Sequence, residues 1–130
     1  MTAMPRSIDA GSTVSEAQSM MERHGIRHLP VTNGEKLVGI VTDRDVKMTL
    51  DPLLHMPTLQ MVRGMMTPEP YVVGPDEPLD SVLFTLAERR IGCALVAEGG
   101  KLTGIFTTTD ASRMLGEHFR AMRQQAGEDD

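Results

Sequence analysis

Hydrophobic and polar positions along this chain follow one pattern that occurs twice. When the sequence is shifted by 65 residues it matches itself without a gap, and the identities cluster at turns and apolar positions. Chance rarely produces such clustering, so the sequence predicts an internal repeat. The most informative matched pairs are Gly39 with Gly104, Thr42 with Thr107, and Asp45 with Asp110.

The repeat divides the chain into four segments. They are repeat 1 at residues 1–50, a connecting segment at 51–64, repeat 2 at 65–123 and an acidic tail at 124–130. The connecting segment carries two prolines and several Met and Leu side chains. We therefore expect a helix or turn with apolar contacts there, and a frayed tail at the end of the chain.

Repeat 1 predicts the order strand, helix, strand, strand, helix. Thr13 and Glu16 have the spacing of a capping box at the start of the first helix. Asn33–Gly34 predicts a hairpin between two strands, because both residues tolerate a positive φ. A second helix is expected from about Asp43. The three predicted strands cover residues 6–8, 29–31 and 37–41.

Repeat 2 predicts the same order, with strands at 71–73, 94–97 and 102–106. Pro78 suits the first position of its first helix. The apolar residues of that helix recur at helical spacing and predict one buried stripe. They are Leu79, Val82, Leu83, Leu86 and Ala87. The second helix, from about Thr108, carries a stripe that indicates either a core or a dimer contact. That stripe is Met114, Leu115, Phe119 and Met122.

The predicted fold is α+β, with two small sheets packed together and helices outside. Neither repeat is long enough to bury both faces of a small sheet alone, so two copies are expected to share one core. The 130 residues suffice for one such domain. The tandem repeats therefore form a single module.

Composition and charge narrow the functional classes. A net charge of −5 argues against a nucleic-acid binder that relies on phosphate neutralisation, but it does not oppose a locally basic pocket for one small anion. No apolar run has the length of a membrane span, and the N-terminus lacks the regions of a signal peptide. The single cysteine, Cys93, can form no internal disulfide. We expect a cytoplasmic protein with no nucleic-acid and no membrane partner.

The segments Gly39–Asp45 (GIVTDRD) and Gly104–Asp110 (GIFTTTD) carry a family resemblance. Together with His24–Val31 and Val62–Pro68, they resemble the cystathionine-β-synthase (CBS) domain, which occurs in tandem pairs called Bateman modules. The resemblance covers nearly the whole chain. The segment Thr42–Lys47 also resembles stand-alone bacterial pairs of the acetoin-utilisation type. It implies tandem CBS repeats with ligand clefts between them.

The resemblance implies an adenosine-containing ligand, namely AMP, ADP, ATP or S-adenosylmethionine, and no prosthetic group. Asp45 and Asp110 then accept hydrogen bonds from ribose hydroxyls, while Thr42 and Thr107 face the phosphate. The implied adenine contacts are Ile8, Ile26 and Pro30 in one cleft, and Val73, Ile91 and Leu95 in the other. The remaining implied ligand-binding residues are Arg27, His28, Arg44, Cys93 and Thr109.

The spacing Thr-x-x-Asp at a helix start has a second interpretation, since it resembles a capping box. Both interpretations stay open, because a cap can be displaced by a ligand. The repeats also differ around this turn. Repeat 1 offers Arg27, His28, Arg44 and Lys47, and repeat 2 offers Gly92, Cys93, Thr109 and Arg113. If a phosphate binds, the first cleft offers it more positive charge, and the alternative is that these are solvated surface charges.

No pattern for catalysis or metal binding is present in the sequence. His24 and His28 are four residues apart, but Gly25 is expected to end the helix and no further ligand completes a set. We predict a regulatory module that is not an enzyme, forms a homodimer and signals to an unidentified effector protein. The alternative is a ligand-free interaction scaffold in which the Thr-x-x-Asp residues only cap helices.

Overall fold

The computed structural model describes residues 2–3, 6–49 and 60–127. Residues 51–59 of the connecting segment and 128–130 of the tail lie outside the described residues. The described strands are β1 (Thr2–Ala3), β2 (Ile8–Asp9), β3 (His28–Asn33), β4 (Lys36–Thr42), β5 (Thr67–Pro68), β6 (Val72–Val73), β7 (Cys93–Glu98) and β8 (Lys101–Thr107). The described helices are α1 (Val14–His24), α2 (Asp43–Thr49), α3 (Leu79–Arg89) and α4 (Thr108–Gln125), with a 3₁₀ turn at Val62–Gly64.

The α+β fold class and the predicted order of elements are confirmed. Two four-stranded sheets have the orders β2-β3-β4-β5 and β1-β8-β7-β6, with parallel and antiparallel pairs in each. The helices and long strands of the two repeats are offset by the 65 residues read from the sequence. Both hairpins turn through glycines with positive φ, at Gly34 (φ 65°), Gly99 (φ 60°) and Gly100 (φ 79°).

The two repeats exchange their first strands. The strand β1 pairs with β8 of repeat 2, while β5, which opens repeat 2, pairs with β4 of repeat 1. Gly39 faces β5 closely, because a Cβ built there would lie 2.6 Å from the Met66 sulfur and 2.8 Å from the Thr67 carbonyl oxygen. The strand glycine of repeat 1 therefore admits another backbone. Each sheet is completed by a strand from the other repeat.

Side chains of both repeats meet between the two sheets. Ile40 of β4 packs with Cys93, Leu95 and Ile105 of repeat 2. On the outer side of sheet β2-β3-β4-β5, Leu29 packs with the helices in a second buried cluster. Because strand side chains alternate between faces, each sheet buries one face against its partner and the other against helices. This is the shared core expected from the sequence.

The helix α1 buries its apolar stripe, and the connecting segment helps to cover it. Val14 and Ala17 are fully buried in one cluster with Val62 of the 3₁₀ turn. The amide of Val14 donates to the Gln60 carbonyl, and Met61 forms a β-bridge with Thr13. The described part of the connecting segment is therefore a packed turn.

The helix α3 differs from the sequence prediction. Only Val82 and Leu86 of its predicted stripe are buried, whereas Leu79, Leu83 and Ala87 are exposed. Pro78 lies one position before the expected one, at the N-cap. Helical spacing predicts which residues share a face, but burial also requires another element packed on that face. Val62 of the 3₁₀ turn packs in this way with α1, and among the described residues no such turn packs with α3.

The helix α4 is long and exposed along its length. It contains no buried residue and continues to Gln125, two positions into the segment assigned to the tail. The stripe of Met114, Leu115, Phe119 and Met122 is between 42% and 58% exposed. Of the two interpretations of this stripe, a core role within the chain does not fit this exposure.

Candidate functional site

The turn from β4 into α2 is held by reciprocal hydrogen bonds. The Thr42 amide donates to Asp45 Oδ2 over 3.0 Å, and the Asp45 amide donates to the Thr42 hydroxyl oxygen over 3.1 Å. The Asp43 amide donates to the Arg27 carbonyl, which ties the turn to the residue before β3. These bonds satisfy donors that a helix start leaves unpaired.

The turn from β8 into α4 repeats this geometry. The Thr107 amide donates to Asp110 Oδ2 over 2.9 Å, and the Asp110 amide donates to the Thr107 hydroxyl oxygen over 3.1 Å. The Thr108 amide donates to the Gly92 carbonyl, as Asp43 does to Arg27. Both aspartates therefore form helix caps, and each uses one carboxylate oxygen for it. The second oxygen remains for another partner.

Ion pairs beside the two turns differ. In repeat 2, Arg113 Nη1 lies 3.5 Å from Asp110 Oδ1. In repeat 1, Lys47 Nζ lies 3.6 Å from Asp43 Oδ2, so the lysine pairs with the first helical residue and not with Asp45. Asp43 is absent from the site residues predicted from the sequence. Asp43 and Lys47 are four residues apart in a predicted helix, and this spacing indicates that they can form an ion pair.

His28 lies at the boundary between the repeats. It begins β3 opposite Thr42, is half-buried, and reaches Gly92, where a Cβ would lie 3.0 Å from the imidazole Nε2. Burial lowers the pKa of His28 below its usual value, Arg27 lowers it further, and Asp43 and Asp45 act in the opposite direction. The absence of a side chain at position 92, which matches Arg27, makes room for the ring.

Cys93 begins β7 and is buried. Burial raises the pKa of its thiol to about 12. Because the thiolate is the reactive form of cysteine, Cys93 is an unreactive core thiol at neutral pH.

The predicted adenine contacts of repeat 1 do not share one surface. Ile8 is buried in the helix-side cluster, against which Ile26 packs. Pro30 is buried opposite Ile40 in the β3–β4 ladder, and Ile40 faces the other sheet. The structure thus brings Ile8 and Ile26 together, while Pro30 lies on the opposite face of the sheet.

Repeat 2 shows the same division of its predicted adenine contacts. Val73 and Ile91 pack on the helix-side cluster. Leu95 is fully buried between the sheets. Arg44 and Thr109 are exposed and occupy the second position of α2 and of α4, respectively. The fold therefore groups the Thr and Asp residues at the turns and separates the apolar ones.

A cleft of about 380 Å³ opens between the end of α1 and the start of α2. It contains Ile26 and Arg27 of the predicted site, and Asp43 and Lys47 of the ion pair. Gly25 ends α1 in a left-handed conformation with φ 62°, which turns the chain into this cleft. Apolar, cationic and anionic groups therefore surround one open space beside the Thr42–Asp45 turn.

Among residues 2–3, 6–49 and 60–127, no group of three or more His, Cys, Asp and Glu side chains is placed to hold a metal ion. His24 and His28 fall in different elements, the last turn of α1 and the start of β3. The same part of the chain contains no helix with the length and hydropathy needed to cross a bilayer.

Comparison with known proteins gives a consistent assignment. A family model for the CBS domain matches residues 1–51 and 62–117. One curated relative is an inosine-5'-monophosphate dehydrogenase of Korarchaeum cryptofilum, 38% identical over 99 residues, or 75% of this chain and 20% of that protein. The chain therefore spans about a fifth of the length of that relative.

Two solved structures resemble the chain closely. The CBS domain pair of the protein MJ0100, solved with 5'-methylthioadenosine and S-adenosyl-L-methionine, is 27% identical with a TM-score of 0.77, over 90% of this chain and 93% of that chain. The structure of CBSX2 in complex with AMP is 26% identical with a TM-score of 0.76, again over 90% and 93%. The ligands of these two complexes all contain adenosine.

Proposed function

The chain belongs to the CBS domain family, and from this premise we propose that it is a non-catalytic regulatory module that binds an adenosine-containing ligand between its repeats. The observation that carries the proposal is the pair of equivalent Thr-x-x-Asp turns, each with one aspartate oxygen in the cap. AMP, ADP, ATP and S-adenosylmethionine are the proposed ligands. The adenosyl ligands of the two similar CBS structures support this choice.

The chemistry of the turns fits a nucleoside. An ionised carboxylate only accepts hydrogen bonds and has room for several donors, so Asp45 or Asp110 can cap its helix and still accept from ribose hydroxyls. The Thr42 and Thr107 hydroxyls accept from the cap amides and have a proton to donate to an anion. Ile26 lines the cleft beside the first turn, and Ile91 is partly buried at the matched position of repeat 2, so these two residues are the apolar contacts proposed for the base.

A phosphate is proposed in the first cleft. Arg27 and Arg44 are exposed near the Thr42–Asp45 turn, and Lys47 lines the adjoining cleft with Arg27. At the matched positions of Arg27 and Arg44, repeat 2 has Gly92 and Thr109. Local cationic groups attract an anionic ligand even in a chain with net negative charge.

The module is further proposed to act in the cytoplasm as a homodimer that signals to an effector protein. The apolar stripe of α4 supports the dimer, because Leu115 and Phe119 are more than half exposed. A ligand then signals by favouring one arrangement of the repeats or of the dimer through differential affinity.

Calorimetric titration with AMP, ADP, ATP and S-adenosylmethionine tests the binding proposal. We expect the wild type to bind at least one of them, and Asp45→Asn to weaken the tighter event about tenfold or more, because hydrogen bonds to a charged group are lost. Asparagine still accepts the Thr42 amide bond, so the cap is retained. Asp110→Asn tests the second cleft in the same way.

The control variant is Thr13→Ala, which removes a helix cap remote from both turns, where the Thr13 hydroxyl accepts from the Glu16 amide over 3.2 Å. It costs about 1 kcal/mol of stability and leaves ligand affinity unchanged. Binding that survives both aspartate changes contradicts the site. If no ligand binds and one protein reproducibly co-purifies with the chain, the scaffold alternative is favoured. The observation that supports this alternative is that both helix caps are complete without a ligand.

A further inference from the structure

The two clefts differ at the residue three positions after each aspartate. The 65-residue shift places Met48 of repeat 1 on Arg113 of repeat 2. Both side chains are exposed at the sixth position of their helices, but only Arg113 is charged and can pair with the carboxylate. The two turns therefore match in backbone geometry and differ in what surrounds the carboxylate.

Arg113 occupies the oxygen of Asp110 that the cap leaves open. Asp110 Oδ2 accepts from the Thr107 amide, and Asp110 Oδ1 lies 3.5 Å from Arg113 Nη1. The Asp110 side chain is only 14% exposed, so little of its carboxylate is open to a ligand. A ribose hydroxyl that reaches Asp110 has to displace the guanidinium or share the oxygen with it.

Among the described residues, no lysine or arginine is paired with Asp45, and the titratable neighbour that interacts with it is His28. Asp45 Oδ2 accepts from the Thr42 amide, and the nearest lysine of the helix, Lys47, is paired with Asp43. Met48 cannot form an ion pair. Within the described part of the chain, Asp45 Oδ1 is thus open to a hydroxyl donor, while Asp110 Oδ1 is engaged.

We infer that Arg113 is a specificity-determining residue that makes the second cleft the weaker ribose site, so that ligand fills the Thr42–Asp45 cleft first. This inference rests on the proposed function. Arg113 itself is 63% exposed, and exposed ion pairs are worth little, so the guanidinium lowers the affinity of the second cleft without closing it. The difference in affinity that it produces is about twofold to fivefold.

Reciprocal exchange of the two residues tests the inference. Adenosine, which carries no phosphate, is titrated into the wild type, Arg113→Met and Met48→Arg. The amide resonances of Thr42 and Thr107 are followed by two-dimensional NMR, because each amide donates to the aspartate of its own cleft. We expect Arg113→Met to strengthen binding at Thr107, and Met48→Arg to weaken binding at Thr42, each by about twofold to fivefold.

The matched control is Arg120→Met, which removes the same charge from α4 about 10 Å further along the helix axis. It should leave both dissociation constants unchanged. Thermal unfolding of every variant checks that the fold is retained.

The possible failures are separable. If adenosine shifts the amides of the wild type but neither exchange variant changes the dissociation constant at its own cleft, the inference is wrong and the proposed function stands. The inference is also overturned if Arg120→Met acts as Arg113→Met does, because the effect is then one of net charge. If adenosine shifts neither amide in any variant, the proposed function and the inference fail together.

Discussion

At the scale of single residues, the aspartates illustrate what a sequence motif leaves open. The spacing Thr-x-x-Asp predicts both a cap and a ligand contact, and the structure shows that the cap is formed at Asp45 and at Asp110. Because the cap uses one oxygen, the two interpretations are compatible. The two clefts differ at Met48 and Arg113, which lie outside the Thr-x-x-Asp motif. This difference is found only when repeat 1 is aligned with repeat 2.

His28 makes the stability of the fold depend on pH. Since burial lowers the pKa of its imidazole in the folded state below the usual 6.5, the unfolded chain binds the proton more readily. Stability is therefore fully present above pH 6.5 and declines as the pH falls through that value towards the lower folded pKa. We expect the melting temperature to fall between about pH 7.5 and 5.5, above the range where most carboxylates titrate.

The variant His28→Gln, which has no titrating side chain, should flatten this decline when melting temperatures are measured across the same pH range. His118→Gln is the matched control, because it removes an exposed imidazole from α4 and leaves the half-buried His28 in place. A pH profile of His28→Gln that is parallel to that of the wild type contradicts the assignment.

At the scale of elements, the exchanged strand β5 explains the glycine at position 39. Gly39→Ala forces its methyl group against the Met66 sulfur and the Thr67 carbonyl oxygen, at 2.6 and 2.8 Å. The sulfur can move, but the carbonyl belongs to the paired backbone, so β5 has to shift away from β4. We expect the free energy of unfolding, measured in urea, to fall by about 1–3 kcal/mol.

Gly74→Ala provides the control for this experiment. A Cβ at Gly74 meets no heavy atom within 4 Å, and its backbone has no positive φ, so alanine is tolerated there. Equal stability of Gly39→Ala and Gly74→Ala contradicts the close approach of the exchanged strand.

The sequence predicts elements where a local signal exists. Helical spacing locates the helices, and the turn residues Asn33–Gly34 and Gly99–Gly100 locate the hairpins. The positive φ values of these glycines explain why glycine occupies those positions. The exchange of β1 and β5 could not be predicted, because a strand of two residues has no alternation to read. The family resemblance places the apolar site residues around one ligand in each cleft. Strand register, which the sequence does not reveal, separates them onto two faces of the sheet.

At the scale of the whole molecule, the repeats differ in what covers their helices. In repeat 1, Val62 packs into the cluster that contains α1. In repeat 2, no residue of α4 is buried, and its apolar stripe is about half exposed. A half-exposed side chain of this size presents about 100 Å², so the four of them approach the largest apolar patch of a typical monomer. The exposed surface of the described chain therefore favours self-association through repeat 2.

A dimer formed by this stripe should dissociate when charge is placed within it. We expect Leu115→Glu and Phe119→Glu to convert a dimer into a monomer in sedimentation equilibrium, because each carboxylate would lose its water in the interface without a cationic partner. Met48→Glu adds the same charge to an apolar side chain that is 76% exposed on α2 of repeat 1, and it should leave the dimer intact. If the wild type is monomeric at concentrations of about 100 μM, the homodimer proposal is wrong. If Met48→Glu dissociates the dimer as strongly as Leu115→Glu does, the contact is not confined to repeat 2.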